Sequence, residues 1–162
     1  MNVLHLTHTD INSDSRILKE LESLSKNKKV RITALGVHMN EENKKYKKIE
    51  HVKIYSINLN SRKLIFLPAF IKHSLSVIEL TLKMIFNSFK AKPSIIHCHD
   101  TLVLPLGVLV KLFTGSKLIY DAHELESNRN GLSNTLGKMT FFVEKLLWRF
   151  IDKIIVVSPS IS

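Results

Sequence analysis

A repeated alternation constrains this chain more than any other feature. Short runs rich in Ile, Val and Leu recur along it, and most are separated by stretches whose apolar residues return every three or four positions. The runs are Val3 to Thr7, Val30 to Val37, Val52 to Ile57, Ser94 to His97, Lys117 to Ala122 and Lys153 to Val157. A strand with one wet face alternates apolar and polar residues, whereas a near-continuous apolar strand is covered on both faces, as in a parallel sheet.

The stretches between them read as helices. Ile17, Leu18, Leu21 and Leu24 predict the first, with Ser13 or Asp14 placed to cap it. From Pro68 to Phe89, the residues Phe70, Ile71, Leu75, Ile78, Leu82, Ile85, Phe86 and Phe89 fall on one stripe of a long crossover helix that Pro93 stops. Leu102 to Phe113 reads as a helix opened by Pro105 and ended before Gly115, and Leu136 to Ile151 as another. The expected fold is α/β: a Rossmann-like doubly wound parallel sheet of order 3-2-1-4-5-6, with right-handed crossovers and helices on both faces.

With 162 residues and 44% of them apolar, the chain can bury one core, so residues 1–162 read as a single domain and not as a disordered or fibrous chain. The stretch Ser158-Pro159-Ser160-Ile161-Ser162 looks like the opening of a further helix, so we expect the first half of a larger protein. The single cysteine, Cys98, forms no internal disulfide, which fits a reducing cytoplasm. The N-terminus lacks the features of a secretory signal. The apolar stretch from Leu64 to Phe89 carries Lys72, His73, Glu79 and Lys83 at helical intervals, so it reads as a soluble amphipathic helix.

The net charge of +10 favours an anionic partner, and nucleic acid, an acidic membrane face and a phosphorylated small molecule all qualify. The run Lys44-Lys45-Tyr46-Lys47-Lys48 reads as a solvated loop.

Ligands of a doubly wound sheet bind beyond the carboxyl ends of its strands, at the switch point between the first and fourth. The polar residues gather there: His8, Thr9 and Asp10 after the first strand, His97, His99 and Asp100 after the fourth, and Asp121, His123 and Glu124 after the fifth. His5, inside the first strand, reads as a core histidine. Cys98 alternates with His97 and His99, points to the other face and reads as core. No His-x-x-x-His or Cys-x-x-Cys spacing occurs, so no metal is expected. No Gly-x-Gly-x-x-Gly or Walker sequence follows the first strand, which disfavours a dinucleotide or nucleoside triphosphate there, and no cofactor is expected. Arg16 places a cation against the helix dipole; it either meets an anion or pairs with Glu20 or Asp14.

The residues Ile95-Ile96-His97-Cys98-His99-Asp100, Leu104-Pro105-Leu106-Gly107 and Tyr120-Asp121-Ala122-His123-Glu124, with Asp14-x-Arg16-Ile17 and Ile154 to Ser160, make a set that covers nearly the whole chain. The set resembles the N-terminal domain of the family 4 retaining glycosyltransferases. That resemblance implies a GT-B enzyme of two Rossmann-like domains, this chain being the first, on the acceptor side. It implies a nucleotide-sugar donor held mainly by a C-terminal domain absent from this chain, a sugar or lipid-linked acceptor, and a role in cell-surface polysaccharide or glycolipid synthesis. It gives His123 the catalytic place against the donor sugar, His99 and Asp100 the rim of the acceptor pocket, and Glu124, Arg16 and Asp14 to substrate binding. Many relatives carry a Gly-Gly turn after the first strand; Asp10-Ile11-Asn12-Ser13-Asp14 has no glycine.

Retaining transfer passes through an oxocarbenium-like state while charge builds on the departing diphosphate, so cations and hydrogen-bond donors suffice without a metal. The basic surface then suits an anionic membrane bearing the acceptor, with Arg62-Lys63-Leu64-Ile65-Phe66-Leu67 offering cations beside apolar residues; equally, Leu64 to Leu67 leads into the core. Such an enzyme sits in the cytoplasm, peripheral to the inner membrane face. The rival reading is a Rossmann-like regulatory module with a basic face for nucleic acid. It lacks aromatic residues interleaved with Lys and Arg on a strand face, so no nucleic-acid partner is expected.

Overall fold

A computed structural model describes residues 1–38, 49–64, 66–122 and 142–156. The described elements are β1 (Asn2–Leu6), α1 (Ser15–Ser25), β2 (Arg31–Val37), β3 (Val52–Ile57), α2 (Ala69–Ala91), β4 (Ile95–Cys98), α3 (Leu104–Thr114), β5 (Lys117–Ala122) and β6 (Lys153–Val156). Residues 142–147 are also helical. Short 3-10 turns occupy Asn60–Lys63, Thr101–Val103 and Trp148–Phe150. The lysine run of residues 44–48, the segment after Val156 and the first part of the helix expected from Leu136 lie outside the described residues.

All six strands form one sheet in the order β3-β2-β1-β4-β5-β6, as the sequence pattern predicts. Every neighbouring pair is parallel, with His5 of β1 opposite Ala34 of β2 and His97 of β4. Asp14 caps α1, its carboxylate accepting the backbone N–H groups of Arg16 and Ile17 at 3.0 and 3.3 Å. That arrangement satisfies two donors that a helix start leaves unpaired. Pro105 sits in the first turn of α3, and Gly115 closes it in the left-handed region at φ 70°.

The sheet divides two cores. Leu4, Leu6, Leu35, Ile96, Cys98, Leu118 and Tyr120 face α2 and α3, whereas Val3, Ile32 and Ala34 pack with Ile17 and Leu21 of α1 and with Ile11 of the preceding loop. Two glycines set the spacing. A Cβ on Gly107 of α3 would lie 2.4 Å from Cys98 Sγ, so that helix rides close on β4. A Cβ on Gly36 of β2 would lie 2.7 Å from the carbonyl oxygen of Thr9, so β2 makes room for the loop after β1.

The long crossover helix departs from expectation. Its apolar stripe is turned outward: Phe70, Ile78, Leu82 and Phe86 are each more than half exposed. The buried residues of α2 are Ser76, Met84 and Ser88, with Leu80 partly buried among them; Ser76 meets the Ser61 hydroxyl of the 60–63 turn at 2.9 Å. Small residues at two of these buried positions let the helix backbone approach its neighbours closely, a contact that bulky Phe and Leu would hold apart. Among the described residues no helix is long and apolar enough to cross a membrane.

Candidate functional site

The rim forms where β1 and β4 end side by side, tied together by Asp100. Its Oδ2 accepts the backbone N–H of His8 at 3.0 Å and the Thr7 hydroxyl at 3.2 Å, and lies 2.8 Å from His8 Nδ1. Its Oδ1 accepts the N–H of Val103 and so caps the turn leading into α3. Burial alone would raise this carboxyl's pKa. The His8 ring, by hydrogen bond and charge, together with the N–H groups of His8 and Val103, outweighs burial and holds the carboxyl below the usual carboxylate range.

The loop after β1 carries the apolar anchor Ile11, fully buried over Gly36. Asp10 Oδ1 accepts from the backbone and side chain of Asn12 at 3.0 and 2.9 Å, and Val37 N–H donates to the Thr9 carbonyl at 3.0 Å. This glycine-free turn is thus pinned by its own side chains.

A cleft of about 560 Å³ opens on the α2 face of this rim. Its floor is apolar, built from Val37, Leu59, Met84, Val103 and Leu106, and His8, Arg62, Lys72 and His73 stand at its margin. Glu79 anchors the turn that carries Arg62. Its carboxylate accepts the N–H groups of Asn60 and Ser61, the Ser61 hydroxyl and Lys83 Nζ. Burial opposes ionisation here, but Lys83 and the Ser61 and Asn60 donors prevail and lower the carboxyl to about 2.

The opposite, α1 face of the same strand ends holds a buried group of three histidines. His5 Nδ1 lies 2.9 Å from His99 Nε2, and the His97 and His99 rings stack with centroids 4.2 Å apart. Glu20 reaches over from α1, with Oε1 2.9 Å from His97 Nδ1. Asp121 Oδ2 lies 3.9 Å from His97 Nε2 and 3.8 Å from His99 Nδ1. Burial, reinforced by the charges of His99 and His97, keeps His5 well below its ordinary pKa.

The predicted residues therefore separate. Asp100 is a clamp whose two oxygens engage its own chain, and His99, 5% exposed, belongs to the histidine group beneath the rim. Asp14 caps α1 and also meets Arg16 Nη2 at 3.3 Å, which is the local pairing anticipated for that arginine; the guanidinium stays largely exposed. Hydrogen bonds from the Arg16 side chain and from backbone N–H groups overcome burial and lower the Asp14 carboxyl. Cys98 is core, its thiol pushed up by burial and then by the charge of Asp100. His123 and Glu124 lie outside the described residues.

Sequence reasoning missed the cleft-lining Lys72 and His73 and the approach of Glu20 to His97. A signal for the first pair was present, since both precede the buried Ser76 on α2 by a helical turn. Glu20 gave none beyond its i,i+4 spacing from Arg16.

No family model and no curated protein matches this chain. Solved structures do. Sucrose-phosphate synthase from Thermosynechococcus elongatus superposes with a TM-score of 0.68 at 15% identity, over 98% of this chain and 42% of that one. HepE from Anabaena, solved in complex with UDP and glucose, gives 0.59 at 13% identity, over 95% of this chain and 37% of that one. MurG from Acinetobacter baumannii gives 0.56 at 15% identity, over 98% and 41%. These neighbours are GT-B glycosyltransferases, and what the chain shares with them is the fold. The chain spans less than half the length of each.

Proposed function

We propose that this chain is the acceptor-side domain of a two-domain retaining glycosyltransferase, which moves a sugar from a nucleotide-sugar donor onto a sugar or lipid-linked acceptor in cell-surface polysaccharide or glycolipid synthesis. The observation that carries this reading is the 560 Å³ cleft at the β1/β4 switch point, with its apolar floor and the cationic margin of Arg62 and Lys72. An apolar floor receives a lipid or the flat face of a sugar, and the cations at its margin attract an anionic acceptor or an acidic membrane surface. The exposed side of α2, continuous with Phe66 and Phe70, extends that apolar character away from the cleft.

The catalytic role falls to His123, the residue after Ala122 at the end of β5. A polar group against the donor sugar stabilises the oxocarbenium-like state as the diphosphate departs. In this reading Glu124 and the exposed Arg16 support substrate binding, while Asp100 acts indirectly by holding the strand ends together and His99 lies beneath the rim. A second domain, closing over the donor, completes the site, so the 162-residue chain by itself turns over no nucleotide sugar.

The decisive measurement is steady-state transfer by the enzyme that contains this domain. His123→Ala should lower kcat by on the order of 10²-fold with an unchanged Tm. Wild-type kcat with a markedly lower Tm would make His123 a packing residue and displace the catalytic rim. Proton NMR of the product reads the anomeric configuration, and inversion would refute the retaining assignment.

A further inference from the structure

Sequence spacing gave no reason to expect a metal, yet the fold gathers ligands that the linear order separates. We propose that His5, His97, His99 and Glu20 form a binding site for one divalent transition-metal ion of the zinc type. Each of the four offers one ligand atom, and these atoms all lie within 4.8 Å of one another. The strands dictate the grouping. His5 and His97 are direct partners across the β1–β4 pair, and His99, two residues on, returns to the same face.

Hydrogen-bond accounting says what the group lacks. A neutral imidazole has one N–H and one lone pair. His5 Nε2, His97 Nε2 and His99 Nδ1 are buried and find no hydrogen-bond partner among the described residues. A buried polar atom left unpaired in this way is costly to the fold. Protonation is no remedy, because it would crowd cations whose ring centroids lie 4.2 to 5.2 Å apart in a buried site. A metal ion instead takes one lone pair from each neutral imidazole and fixes which nitrogen keeps its proton, which directs the remaining N–H of His97 and of His99 toward Asp121.

The donor set selects the ion class. Three ring nitrogens and a carboxylate suit zinc and its neighbours in the first transition row, whereas magnesium and calcium demand oxygens. Charge closes as well: Glu20 and Asp121 supply two negative charges against a dication, with Asp121 within 4 Å of two of the histidines to orient them. Two nitrogens on one tetrahedral zinc stand roughly 3.3 Å apart at Zn–N distances of about 2.0 Å. His5 Nδ1 and His99 Nε2, now 2.9 Å apart and hydrogen-bonded to each other, need move only a few tenths of an ångström to serve as two of its ligands, which leaves His99 Nδ1 and His97 Nε2 on the side of Asp121. Glu20, with its side chain 32% exposed, marks the way in from solvent.

The test uses the purified 162-residue chain, stripped with chelator and titrated with zinc sulfate alone. Expected are one equivalent per chain by elemental analysis and a Tm rise of roughly 5–10 °C at zinc 100-fold above Kd. Glu20→Gln and His97→Gln should each weaken binding at least ~10-fold. Cobalt in place of zinc should show a visible absorption band that shifts in Glu20→Gln, a partly exposed position whose replacement keeps α1 intact by circular dichroism. His51→Gln, at an exposed position outside the cleft, should change nothing. Absence of stoichiometric zinc, or zinc that is lost with His51 but indifferent to Glu20→Gln, overturns the proposal.

Discussion

The two faces of the β1–β4 pair differ as much as two sides of one strand pair can. Facing α2 and α3, Leu4, Leu6, Ile96 and Cys98 form a hydrocarbon layer with no exposed surface. Facing α1, one residue out of step, His5, His97 and His99 place three imidazoles in an equally dry environment. Strand periodicity produces both from the alternation Ile96-His97-Cys98-His99, so each residue serves one layer only. The hydrocarbon side is stabilised by packing density. The imidazole side carries polar atoms that packing cannot satisfy, which makes it a poor way to build a core and a good way to build a site.

Mutations should read this difference directly. The largest loss is expected from Leu4→Ala, which empties a fully buried position in the hydrocarbon layer; urea unfolding followed by circular dichroism should show about 2–5 kcal/mol. A loss below 1 kcal/mol would mean that this layer repacks easily and that the contrast between the faces is overdrawn. Gly107→Ala comes next. Its new methyl would fall 2.4 Å from Cys98 Sγ, and overpacking of that kind costs about 1–3 kcal/mol. Adding Cys98→Ala should restore most of the loss, and a double mutant no better than the single would relocate the clash.

Asp100→Asn removes the charge from the clamp between the strand ends and should cost ~1–2 kcal/mol near neutral pH. The sign follows from the lowered carboxyl. A group whose folded pKa lies below its unfolded value stabilises above the unfolded value and loses that contribution as pH falls through the folded one. Wild type and Asp100→Asn should therefore converge in acid, below the usual carboxylate range. A difference independent of pH would show that packing, and not ionisation, is what Asp100 supplies.

The smallest effect belongs to the outer side of α2. Phe70→Ser or Phe86→Ser should shift the stability of this chain by no more than about 0.5 kcal/mol, since both rings are largely exposed. A large loss from either would mean that the outward stripe is covered.

What could be read in advance follows the same division. Strand order and direction were legible because six apolar runs separated by helices leave few parallel arrangements. The cap at Asp14, Pro105 opening α3 and Gly115 closing it obey local rules, and local rules are written in neighbouring residues. The side α2 turns to the sheet was not legible. Periodicity reveals that a stripe exists, but Ser76 and Ser88 win the inner positions by being small, and that advantage appears only once the helix has its neighbours, for Ser76 the turn that carries Ser61. The histidine group was half legible: His97 and His99 share a face by strand period alone. Their meeting with His5 depends on register, and their meeting with Glu20 on how α1 crosses the sheet. Motif spacings such as His-x-x-x-His describe ligands on one helix and are blind to ligands drawn from two strands and a helix.

The contact between His5 and His99 spans 94 residues of chain. During synthesis at ~5–20 residues per second, His5 emerges about 5–20 s before its partner exists. β2, which lies nearer in sequence, can pair with β1 in that interval, but the other edge of β1 stays open until β4 arrives. The same central placement that gathers the rim thus leaves the nascent chain with an unpaired apolar strand edge. The histidines and the Asp100 clamp can assemble only in the closing step of the sheet's centre.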